Sequence, residues 1–129
     1  MDVKQRAKLM VIDDEVAVTE AIQVVLKKYY EITVATDGVW ALEYLQKNPT
    51  FDVILCDVHM GGITGIEIFK RLRESQSGLE QRMVFMTGGI TNVRSLEFLK
   101  TVPNQVVEKP FNIKVLREAI QAIVTQLSV

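Results

Sequence analysis

Five times along the chain a short apolar run gives way to a polar residue, and the apolar positions that follow are then spaced by the 3.6-residue period of a helix. The strand-like stretches are 9–12, 32–35 (interrupted by Thr33), 51–56 (unbroken over 53–56), 83–86 and 106–107, and the helical stretches that answer them lie at 18–29, 41–48, 66–73, 93–99 and 113–127. An unbroken apolar run of this length is the mark of a strand buried on both faces, and strands of that kind alternating with helices build a parallel sheet covered on each side. The last helix carries the clearest stripe, at Leu116, Ile120, Ile123 and Leu127. The expected fold is a doubly wound α/β domain with a five-stranded parallel sheet. Right-handed crossovers place ligand sites at the carboxyl ends of such strands, so function belongs just past each run.

Size and charge narrow the function classes. At 129 residues the chain is long enough for one core and short for two, and no Ser-rich, Pro-rich or charge-block linker divides it. The reading is a single domain over 1–129 with its core at about 8–127, preceded by a solvated lead-in. Fifteen basic residues against sixteen acidic ones leave a net charge of −1, so no positive field exists to gather nucleic acid or anionic lipid. The longest apolar runs, such as 9–12 and 53–56, are far below the roughly 18 residues a membrane span needs. The lone cysteine, Cys56, has no partner for a disulfide, which favours a cytoplasmic protein.

The residues at the strand ends are reactive. Asp13 and Asp14 follow the first run, Asp57 the third, Thr87 the fourth, and Lys109 stands just past the fifth. Three carboxylates gathered about 4 Å apart would repel by roughly 4 kcal/mol per pair at an effective dielectric near 20. Lys109 offsets one charge, and a divalent ion suits the rest. Hard oxygen donors without a thiolate or imidazole set favour Mg²⁺ or Mn²⁺ over Zn²⁺. A metal, a hydroxyl and an ammonium around one carboxylate describe a pocket for a tetrahedral dianion, with the carboxylate as nucleophile.

These residues, Asp13-Asp14, Asp57, Thr87 and Lys109-Pro110-Phe111, resemble the receiver domain of two-component response regulators, and the likeness runs from about residue 8 to 127. The resemblance implies the flavodoxin-like strand order 2-1-3-4-5. It further implies that Asp57 accepts a phosphoryl group from a phosphohistidine on a histidine kinase or phosphotransfer protein. Asp14, Asp57 and the backbone carbonyl of His59 would then bind Mg²⁺ directly, with Asp13 acting through a coordinated water. Thr87 and Lys109 would hold phosphoryl oxygens, and the Lys109-Pro110 bond would be cis. A homodimer through the last two helices is a habit of the family, and the downstream partner is unnamed.

Each signal has a plainer reading. Asp13-Asp14 or Asp57 could cap a helix, Thr87 could be a turn residue, and Lys109 a solvated cation. Only their joint placement on four strand ends is specific. Gly61, Gly62 and Gly65 lack nucleotide-loop spacing and should shape the loop after Asp57. The sequence also departs from the family: Gly88 follows Thr87 where alanine is common, Gly61 replaces a usual proline, and Val106 stands where a switching aromatic is common. Competing readings are a receiver cut from a hybrid sensor histidine kinase, which the 82–111 stretch favours slightly, an aspartyl-nucleophile phosphatase, and a pseudo-receiver that only docks. A phosphatase wants a second aspartate two residues past the nucleophile, where this chain has His59.

Overall fold

Alternate residues of the first, third and fourth apolar runs point into different cores, which is why these runs have no polar face. On one side of the sheet Met10, Ile12, Ile54, Cys56, Met83 and Phe85 pack together; on the other Leu9, Val11, Val53, Leu55, Val84 and Met86 do so. A two-residue period inside a continuous apolar run is what a strand covered on both faces requires. The computed structural model describes residues 6–89 and 92–127. Residues 1–5 of the solvated lead-in expected over 1–8, the side chain of Leu127 in the last stripe, and Ser128 and Val129 lie outside the described residues, while Lys8 already begins the first strand.

In chain order the elements are β1 (Lys8–Ile12), α1 (Val16–Leu26), β2 (Glu31–Ala35), α2 (Gly38–Lys47), β3 (Val53–Asp57), α3 (Gly65–Glu74), β4 (Met83–Thr87), α4 (Val93–Lys100), β5 (Val106–Glu108) and α5 (Ile113–Leu127). All four strand pairings are parallel and the order is β2-β1-β3-β4-β5, as the resemblance implied. Helices α1 and α5 bury Ile22, Leu26, Leu116 and Ile120 in one core, while α2, α3 and α4 contribute Leu42, Leu45, Ile68, Leu72 and Leu99 to the other. No helix among the described residues is long and apolar enough to cross a membrane.

Local chemistry explains where the helices begin. Asp37 accepts from the Val39 amide and caps α2, so Asp37-Gly38 is a helix start rather than the free-standing turn its composition suggests. Thr64 and Glu67 form a reciprocal capping box at α3, and Asn92 caps α4 through Arg94 and Ser95. A 3-10 turn at Leu79–Arg82 was not expected from the sequence; it follows Gly78 at φ 81° and drives Leu79 into the core. Helix α1 ends at Leu26, short of the expected Tyr29, and the chain turns there so that Tyr30 is buried.

Gly65 marks the tightest approach to backbone among the described glycines. A Cβ there would fall 2.4 Å from the backbone oxygen of Asp57 and 3.2 Å from Cys56 Sγ, so α3 can start this close to β3 only without a side chain. Gly88 has no atom within 4 Å of a built Cβ. Gly65→Ala should therefore lower the unfolding free energy by about 2–3 kcal/mol in urea titration, while Gly88→Ala should stay within about 0.5 kcal/mol of wild type.

Candidate functional site

The strand ends bring the acids together because β1 and β3 are neighbours in register, with Ile12 beside Cys56. The next residues along, Asp13 and Asp57, are thereby set side by side at the top of the sheet. Asp13 is fully buried, Asp57 is 4% exposed, and Asp14 is exposed on the rim. One carboxylate oxygen from each of the three lies within 4.8 Å of the others. Asp57 is the last residue of β3 and Thr87 the last of β4, one step inside the positions just past the strands where the sequence suggested them.

Lys109 provides the counter-charge. Its Nζ lies 2.7 Å from Asp13 Oδ2, 3.5 Å from Asp57 Oδ1 and 3.7 Å from Glu15 Oε1. The closest partner is Asp13, not Asp57, and Glu15 was not singled out from the sequence although it adjoins the acidic pair. The Lys109 backbone amide donates to the Thr87 carbonyl at 2.6 Å, which ties the end of β5 to β4, and the Lys109-Pro110 bond is cis. Thr87 is 2% exposed and its Oγ1 accepts from the Gly89 amide at 3.1 Å, leaving the hydroxyl proton to donate elsewhere.

None of the acids is spent on a helix start. Glu15 occupies the N-cap of α1 without a side-chain cap, Thr64 caps α3, and Asn92 caps α4. Asp13 does accept from the Glu15 amide through Oδ1, while its other oxygen takes Lys109. Asp14 Oδ2 accepts from the Gly61 amide at 3.1 Å, a link between the first strand end and the loop after β3 that spacing could not show. The His59 side chain is exposed, and a backbone hydrogen bond at His59 supports the Asp57 carboxylate. Cys56 is buried, and burial followed by the charges of Asp57 and Asp13 pushes its thiol up, away from reactivity.

Burial, and then the charge of Asp13, raises Asp57 from 3.8 to about 6; Lys109 and the His59 backbone pull the other way without cancelling them. Burial alone would lower Lys109, yet its hydrogen bond to Asp13 and the surrounding carboxylates raise it overall, so it remains an ammonium. A hard divalent cation fits this donor set, because only oxygen ligands face the cluster and its acids outnumber its one close ammonium.

The family model described as the response regulator receiver domain matches residues 9–121. Transcriptional regulatory protein DltR of Streptococcus agalactiae is 32% identical over 105 residues, which is 81% of this chain and 46% of that protein. Histidine kinase P4 of Formosa agariphila is 27% identical over 120 residues, 93% of this chain and 9% of the kinase. The chain thus spans less than half the length of either relative. The solved structure of the chemotaxis response regulator CheY4 of Vibrio cholerae is similar at TM-score 0.78 and 30% identity, covering 92% of this chain and 99% of that one.

A carboxylate whose folded pKa lies above its unfolded value stabilises the fold at low pH, and that contribution is lost as pH rises through the folded value. For Asp57 the window runs from about 4 to about 6. In metal-free buffer Asp57→Asn should be more stable than wild type by on the order of 2 kcal/mol at pH 7.5, with the gain vanishing near pH 4. Denaturant midpoints across that range check it.

Proposed function

The chain belongs to the response regulator receiver family, and from that premise we propose that Asp57 is a phosphoacceptor that takes a phosphoryl group from a phosphohistidine. The observation that carries the reading is Lys109 Nζ standing between Asp13 and Asp57 beside three gathered carboxylates. Asp57 attacks phosphorus; its Oδ–P bond forms as the donor's N–P bond breaks, and the departing imidazole keeps the electron pair. Ionised Asp57 is the competent form, and above pH 6 that form predominates.

Asp14, Asp57 and the His59 backbone carbonyl would hold Mg²⁺, or Mn²⁺ in its place, with Asp13 joined through water. When bound there, such an ion would supply charge neutralisation for phosphoryl transfer. Lys109 is already shared among three carboxylates, so a dianion on Asp57 offers it a stronger partner than Asp13 alone. The Thr87 hydroxyl, oriented by the Gly89 amide, donates to a second phosphoryl oxygen. The same three groups would assist hydrolysis of the acyl phosphate, so the domain works as a signalling switch that helps its own chemistry.

Its partners on this reading are a cytoplasmic histidine kinase or phosphotransfer protein upstream and a docking protein downstream, without nucleic acid or membrane. Self-association through α4 and α5 belongs to the same proposal. A second reading sets the domain within a hybrid sensor histidine kinase, and the likeness to histidine kinase P4 supports it. The phosphoacceptor chemistry is common to both.

With acetyl phosphate and Mg²⁺, intact mass should show one added phosphoryl group on wild type and none on Asp57→Asn. Lys109→Ala should reduce the modified fraction severalfold. Equal labelling of wild type and Asp57→Asn would remove the assignment.

A further inference from the structure

Two of the three clustered carboxylates are immobilised by burial, and the third is not. Asp13 and Asp57 are packed beneath the surface, whereas Asp14 lies exposed on the rim, where an aspartate ordinarily samples several rotamers. Among the described residues, its carboxylate is held by one hydrogen bond, from the backbone amide of Gly61 to Oδ2 at 3.1 Å. That donor exists because residue 61 is not proline. Proline has no amide hydrogen, so this chain has gained a contact at the position where it departs from the usual family pattern.

We propose that the Gly61 amide is a positioning group for metal binding: it holds the Asp14 carboxylate in place in the cluster with Asp13 and Asp57. This rests on the metal-dependent reading above and adds to it a specific residue outside the ligand set. Hydrogen bonds to ligating carboxylates orient them and typically change metal affinity by 10- to 100-fold when lost. The peptide group is well suited to this task because it carries no charge that would compete with the ion. Gly61 also brings the loop after β3 to the end of β1, so the ligand on one strand end is held by the segment that follows the acceptor on another.

The geometry permits a clean test. Gly61 is not among the glycines with positive φ, and a Cβ there would sit 3.8 Å from Asp14 Oδ2, an ordinary contact. Gly61→Ala therefore keeps the donor, and Gly61→Pro removes it. Mg²⁺ titration of the unphosphorylated protein, followed by tryptophan fluorescence or amide shifts, should give a Kd for Gly61→Pro about 10-fold weaker than wild type, with Gly61→Ala within about twofold. Without metal, the Gly61 amide proton should resonate downfield in wild type and move upfield in Asp14→Asn, and thermal melts should show all variants folded. Equal Mg²⁺ affinity in wild type and folded Gly61→Pro would overturn the positioning role while leaving the metal site intact. No Mg²⁺ binding by wild type at millimolar concentration would overturn both.

Discussion

Three carboxylates share one end of this sheet, and their mutual repulsion is the constraint around which the rest of the site is arranged. With oxygens up to 4.8 Å apart, each ionised pair costs about 3–4 kcal/mol at an effective dielectric near 20. A single lysine lies close to all but the rim acid and cannot neutralise the set. The consequence is visible in Asp57, which burial and Asp13 hold near 6. A site that stores this much unfavourable charge without a ligand favours whatever brings positive charge to it, and one able to coordinate oxygen does so best. Clustered charge of this kind lowers stability, as departures from local packing rules do.

The topology explains why the counter-charge comes from the far edge. In the order β2-β1-β3-β4-β5 the first and last strands are three intervals apart, about 14 Å at the usual spacing. A lysine on β5 itself would fall short of β1. Lys109 instead follows Glu108, the last residue of the strand, and its amide is drawn onto the Thr87 carbonyl of β4, so the side chain extends inward across the top of the sheet to Asp13. Thr87 is thus joined to Lys109 through the backbone, so a displacement of Lys109 also pulls on β4.

Much of this was legible in the sequence, for a physical reason. Buried parallel strands must be apolar on both faces, so polar residues at their ends stand out against the runs, and Asp13, Asp57, Thr87 and Lys109 were marked by that contrast alone. What stayed hidden depends on the third dimension. Glu15 could not be assigned to Lys109 before the reach of Lys109 was known. The pairing of Lys109 with Asp13 over Asp57 turns on a fraction of an ångström. Gly65 looked like a loop residue, and only the separation of α3 from β3 shows that a side chain has no room there. The helix start at Asp37 is not marked by composition, because Asp-Gly serves equally as a turn and as a cap with its first helical residue.

The same contrast accounts for what the domain lacks beside Thr87. Val106 opens β5 with 38% exposure and borders a cavity of about 390 Å³ that Thr87, Leu96, Leu99 and Lys100 also line. A valine has essentially one stiff torsion and no polar tip, so it cannot swing between a buried and an exposed state coupled to the threonine hydroxyl. The neighbouring surface nonetheless keeps apolar character at Val93, Leu96 and Val115, each more than a third exposed. On the proposed reading, a rearrangement that follows Thr87 would be carried by backbone, through the Thr87–Lys109 link and the strand it closes, rather than by the rotation of a ring. Backbone shifts of this kind move whole elements in discrete steps, because the two cores on either side of the sheet are too densely packed to deform gradually.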